Sequence, residues 1–212
     1  MTIKNRPRFR SPARQRGVVL MFCLIILVIL LAGGVAVVRS MNSSMFSAGN
    51  LAFKRDLLNQ GEQAVSEVLR AFAATGALGA ANVTSNNLAA ENYSATELVT
   101  NSRGIPNVLL VQSGTLSGPD VSGATFTPAK TLTGRDGVVI RYVIDRLCNT
   151  TGSFATLGAS RCVYSPIAVA TGGTAGEERP TVAAPPLYRV SVRVDGPRNT
   201  QVFVQSSFSK PE

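Results

Sequence analysis

Few side chains in this sequence could carry covalent or metal chemistry. Cysteines stand at positions 23, 148 and 162, and there is no histidine in the 212 residues. The missing imidazole excludes histidine-dependent nucleophilic triads and histidine metal sites. Cys23 sits inside a long apolar run, where it reads as a small hydrophobe. Cys148 and Cys162 are then the only thiols left outside it, too few for a thiolate zinc site. They form either a disulfide or two buried thiols. An oxidising compartment favours the disulfide, and closing a loop of this length contributes roughly 3 kcal/mol in the chain-entropy picture. Ser207-Phe208-Ser209-Lys210 matches S-x-x-K, but that arrangement needs its serine at a helix start inside a cleft, and here it ends a strand-like run. No phosphate-binding G-x-x-x-x-G-K-[ST] occurs, and the 12 acidic residues are scattered. The expectation is a chain with no catalytic residues, no metal and no cofactor.

The one backbone position marked for chemistry is Gly17. Val18 to Val38 is a run of 21 residues without a charge. As a helix rising about 1.5 Å per residue it covers roughly the 30 Å hydrocarbon core of a bilayer. Before it, Lys4, Arg6, Arg8, Arg10, Arg14 and Arg16 give a wholly basic leader, so the positive-inside rule keeps the N-terminus cytoplasmic and places the rest outside. A cut at Ala32-Gly33-Gly34 would fit a secretory signal peptide, but the apolar run is longer than the 7–15 residues of such signals. A cut after Gly17 is the other reading, because a glycine at the membrane face exposes extended backbone to a protease.

The succession Arg14-Gln15-Arg16-Gly17, then V-V-L-M-F-C-L-I-I-L-V-I-L-L, then Arg39 and a long amphipathic continuation resembles the class III signal of type IV pilins, most of all that of the PilX-type minor pilins. The motif resemblance covers about residues 14–70, and Tyr188 to Thr200, Y-R-V-S-V-R-V-D-G-P-R-N-T, resembles the ending of many PilX-type proteins. It implies cleavage by a prepilin peptidase between Gly17 and Val18 and methylation of the new Val18 amine. It also implies a mature chain that waits in the inner membrane, head in the periplasm, before reaching the pilus and the cell surface. One position departs from the pattern. Most pilins carry a glutamate five residues into the mature chain, where it pairs with the amine of a neighbouring subunit, and this sequence has Phe22 there. Since a charge in hydrocarbon is costly without a partner, its absence implies a rare or specially placed subunit, part of a tip or initiation complex. The implied partners are other minor pilins and the major pilin, met through the N-terminal helix, the prepilin peptidase, and the inner-membrane assembly platform. The implied roles are priming of pilus assembly in support of twitching motility or adhesion. Two other readings stay open: the tip pseudopilin of a type II secretion system, which also lacks the glutamate but usually carries a large helical insertion and acidic metal clusters, and a bitopic envelope enzyme or sensor with an uncleaved anchor.

Net charge does not establish a nucleic-acid partner. Six of the 21 basic residues lie in the leader, leaving 15 against 12 acidic residues, or +3. Asn82-Val83-Thr84, Asn92-Tyr93-Ser94 and Asn149-Thr150-Thr151 match the glycosylation sequon, as chance allows in a chain rich in Asn, Ser and Thr.

Several elements must position these features. Between Pro12 and Pro106 there is no proline, so one helix can run from the membrane into the periplasm. Met41, Met45, Ala48, Ala52, Val65, Leu69 and Phe72, with Leu58 and Ala64 nearby, predict its apolar stripe, and Lys54, Arg55, Asp56, Glu62, Glu67 and Arg70 its polar side. The stripe's first half is expected to pack against other subunits and its second half against the chain's own head. Gly33-Gly34 and Gly49 weaken the helix by about 1 kcal/mol each. The pair lies where the resemblance implies melting on assembly; close helix contact in lipid is the alternative. Thr75 to Ala80 should end the helix. Residues 77–135 read as a variable linking region, with strands possible at Val108–Gln112 and Ala124–Thr127. Val138–Leu147, Leu187–Val194 and Thr200–Phe208 predict three antiparallel strands with one wet face, the last two a hairpin about Gly196-Pro197. Thr171–Pro186 reads as an exposed loop. The predicted fold is thus α+β and pilin-like, in five parts: leader 1–17, membrane or filament-core helix 18–38, amphipathic helix 39–76, linking region 77–135, and an antiparallel sheet with a disulfide-closed loop in 136–212.

Overall fold

Helix α1 runs unbroken over Val18–Ala71, as the absence of proline allows, and it passes through Gly33-Gly34 without a break. The computed structural model describes residues 17–80, 82–112, 114–163 and 185–210, the side chains of Phe154 and Ala159 excepted. The basic leader up to Arg16 and nearly all of the loop read at Thr171–Pro186 lie outside the described residues. The chain divides into two compact units between Ala52 and Phe53. In the first, α1 buries none of its side chains and is long and apolar enough to cross a membrane.

In the second unit the closing part of α1 lies on a sheet. Its buried face is Leu57, Gln60, Gly61, Ala64 and Val68, continued by Phe72. Ala64 and Phe72 of the expected stripe belong to it, but the rest is corrected, because Leu69 is 60% exposed and Leu58 40%. The face is rotated because a glycine and a glutamine belong to it, which a count of apolar residues passes over. A Cβ at Gly61 would stand 3.0 Å from Val194 Cγ2, so glycine lets helix and strand approach closely. Gln60 is buried, with its Oε1 accepting from the Arg135 amide at 2.9 Å. After Ala71 the chain turns sharply, and the Leu78 amide donates back to the Ala71 carbonyl at 2.8 Å. The helix therefore ends slightly before Thr75–Ala80, which forms the returning turn.

The sheet comprises β1 (Tyr93–Ser94), β4 (Thr131–Thr133), β5 (Val139–Arg146), β6 (Leu187–Asp195) and β7 (Gln201–Ser209). Its order is β1-β5-β6-β7, with β4 also on β5. The β6–β7 hairpin registers Asp195 with Gln201 and Leu187 with Ser209 around a turn at Pro197–Asn199, as the alternation predicts. The sheet is mixed, because β1 pairs with β5 in parallel. That short pairing is set by buried Asn92. Its Nδ2 donates to the carbonyls of Lys130 and Tyr142, and its Oδ1 accepts from the Lys130 amide. Asn92 is thereby unavailable to a glycan.

On the helix side, Ile140, Tyr142, Ile144, Tyr188, Val190, Val192 and Val194 meet α1 in one core. The opposite side is not wet. Leu98, Val108, Leu109, Leu116 and Phe126 from the linking region form a second core on Val143, with Ile105 and Phe203 at its margin. Val108–Gln112, expected as a strand, instead overlaps a 3-10 turn at Asn107–Leu110 that lays Val108 and Leu109 on the sheet. The chain at Thr125–Phe126 does form a short strand, β3, paired with β2 at Gly118–Pro119. The result is an α+β, pilin-like arrangement: a long N-terminal helix on a mixed sheet with a disulfide-closed loop.

Candidate functional site

Gly17 stands just outside α1 and Val18 is its first residue, with the Met21 amide reaching the Gly17 carbonyl at 3.4 Å. The expected processing junction therefore coincides with the start of the helix. Phe22 lies one turn on, on the same side as Val18, and is 61% exposed. Cys23 is a free, exposed thiol among apolar neighbours. From Val18 to Val38 the exposed side chains are apolar throughout, so this surface suits lipid or other apolar helices and offers nothing ionic for pairing.

In the second unit Cys148 and Cys162 are bonded, closing a loop of sequence separation 14. The loop is pinned from inside. Buried Arg146 donates to the carbonyls of Ala95 and, at 2.7 Å, Gly152, and the Gly152 amide donates to the Ser85 carbonyl.

Sequence reasoning missed the side chains that hold the linking region down. It placed Arg141, Asp145, Arg146, Arg189, Ser191 and Arg193 as polar members of the strands. On the far side of the sheet, Arg193 donates to the carbonyls of Leu109 and Val111 and, through Nε, to Asp195. Asp145 is fully buried, paired with Arg189 and accepting from the Leu98 amide at 2.9 Å. Burial pushes the Asp145 carboxyl above its ordinary pKa, against the pull of Arg189. Opposite charges facing across β5 and β6, Asp145 against Arg189, were the available signal. Asp120 organises the linking region itself. Its carboxylate accepts from the Thr96 and Ser122 hydroxyls and from the Ser122 and Ala124 amides. Burial alone would raise its pKa, but these bonds together outweigh it and hold the carboxyl below its ordinary value.

Lys210 of the S-x-x-K match reaches the carbonyls of Leu78 and Gly79, tying the end of β7 to the turn after α1. Among the described residues no three His, Cys, Asp or Glu side chains group as metal ligands. A shallow recess of about 240 Å³ opens on the far side of the sheet beside β7, between Arg103, Ile105 and Pro106 and the strand residues Ser191, Phe203 and Gln205. No family model, curated protein or solved structure matches this chain.

Proposed function

We propose that this chain is a minor pilin of a type IV pilus, of the PilX type, acting without catalysis or cofactor. A prepilin peptidase cuts between Gly17 and Val18 and methylates the Val18 amine. The mature chain sits in the inner membrane with its head in the periplasm. It then leaves through the assembly platform to join other minor pilins and the major pilin in the complex that primes the filament, in support of twitching or adhesion. The observation that carries this reading is that α1 begins at Val18, directly after Gly17, and leaves its first part wholly exposed while its last part is packed on the sheet. A rod of this kind exchanges lipid for like rods with its head already folded. Phe22 in place of a glutamate supports a special position over the bulk of a shaft.

The short helices support the pilus over a type II secretion tip, since beyond α1 the longest described helices have four residues. Deletion of the chain, followed by counting of surface pili and a twitching assay, tests the reading. Loss of pili restored by the wild-type chain is expected. Normal piliation and motility in the deletion strain would favour an anchored envelope protein of another kind.

A further inference from the structure

Four dipeptides in this chain allow the next backbone nitrogen to attack a side-chain carbonyl carbon and close a five-membered cyclic imide: Asn42-Ser43, Asn101-Ser102, Asp136-Gly137 and Asp195-Gly196. The small following residue leaves that nitrogen open to reaction. The fold withholds three of the four. Asn42 lies inside α1, where the helical bonding pattern engages the next amide. The Asn101 side-chain oxygen accepts from the Arg103 amide at 2.9 Å and the Ile105 amide at 3.0 Å, which fixes it in its own turn. Asp195 is held by Arg141 and, at 2.8 Å, by Arg193 Nε, while the Gly196 amide donates to the Thr200 carbonyl at 2.8 Å. Attack at Asp195 needs these contacts to open first.

Asp136 is under none of these restraints. It is exposed in the turn between β4 and β5, and among the described residues its carboxylate makes no hydrogen bond or ion pair. Its φ of 54° is left-handed, a region that is unfavourable for residues other than glycine, so the turn gives up little in leaving it. Gly137, at φ 74°, is exposed as well and has no Cβ to crowd its nitrogen. Two backbone bonds close the turn, from the Gly134 amide to the Val138 carbonyl at 2.8 Å and from the Val138 amide to the Arg135 carbonyl at 3.0 Å. The Arg135 amide, in the same turn, is the donor to buried Gln60 on α1.

We propose that Asp136 is a site of spontaneous isomerisation to isoaspartate, and that the change loosens the hold of this turn on α1. The Gly137 nitrogen bonds to Cγ of Asp136, and the hydroxyl of the carboxylic acid leaves as water with the amide proton. Water then adds to the main-chain carbonyl of Asp136, the bond from that carbon to the Gly137 nitrogen breaks, and the nitrogen regains a proton. The main chain now passes through Cβ and Cγ, and a carboxylate stands on Cα. The water lost in the first step returns in the second, and nothing is oxidised or reduced. A turn one backbone atom longer no longer satisfies both closing bonds while aiming the Arg135 amide at Gln60.

The test ages the purified full chain in detergent micelles at neutral pH and physiological temperature, and maps isoaspartate at both Asp-Gly sites by electron-transfer fragmentation of its peptides. Conversion at Asp136 should run about tenfold or more ahead of Asp195, whose two arginine contacts must open first. In denaturant the two sites should convert at similar rates. Hydrogen exchange at the Arg135 and Val138 amides of the converted chain should be about tenfold faster than before ageing. Asp136→Asn, which tolerates the same φ and releases ammonia in place of water, should convert faster than wild type. Asp136→Glu, which would have to close a six-membered ring, should not convert, and its exchange should stay constant on ageing. Equal conversion of Asp136 and Asp195 in the folded chain would overturn the proposal, as would a lead of Asp136 that persists undiminished in denaturant. So would a converted chain whose Arg135 amide exchanges at its original rate.

Discussion

The guanidinium of Arg193 donates to the carbonyl oxygen of Leu109 at 2.8 Å, joining the closing part of β6 to the linking region across the far side of the sheet. The same Nη1 reaches Val111 O at 2.7 Å, and Nε reaches Asp195. With 2% of its surface exposed, Arg193 supplies donors where water does not. Arg193→Ala removes the donor from two carbonyls, while Asp195 keeps its pairing with Arg141, and should cost about 3–5 kcal/mol in denaturant unfolding. Arg103→Ala, at the exposed rim of the recess, should stay within about 0.5 kcal/mol.

Asp120 gives the second core a pH dependence of known sign. Its folded pKa is lowered from the ordinary carboxylate value, so its ionised form contributes stability above the unfolded value, and that contribution is lost as pH falls through the folded one. Asp145 works the other way, because its raised pKa makes its contribution largest at low pH. The comparison of Asp120→Ala with wild type at each pH cancels Asp145. Thermal melts should show the variant weaker by about 1–3 kcal/mol at neutral pH, with the gap narrowing as acid protonates the Asp120 carboxylate. A gap that is constant with pH would remove the ionised carboxylate from the account.

The rotated face of α1 is checked by paired truncations. Leu57→Ala empties a fully buried position and should cost about 2–5 kcal/mol, whereas Leu69→Ala, at 60% exposure, should change stability by less than about 0.5 kcal/mol. The reverse order would restore the stripe through Val65 and Leu69.

These cases show where the sequence could be read and where it could not. The β6–β7 hairpin is legible because its alternation has a period of two and its turn carries Gly196-Pro197. The helix is legible because nothing interrupts it. Its buried face is not, because Gln60 and Gly61 belong to the contact for reasons of hydrogen bonding and close approach that hydrophobicity does not encode. The second core is hidden for a related reason. Arg193, Asp145 and Arg189 look like a solvated row until the linking region, which has no periodicity of its own, supplies the carbonyls and amide that they bind. The disulfide needed only a thiol count and an oxidising compartment, whereas the parallel β1 pairing depends on one buried asparagine.

The central claim is that α1 is released at its own first residue to become a mobile, assembling rod, and intact mass of the membrane-extracted chain tests it most directly. From cells with an active prepilin peptidase, the account predicts a polypeptide beginning at Val18 and carrying one added methyl group. A chain that still holds Met1 to Gly17 in those cells would contradict it.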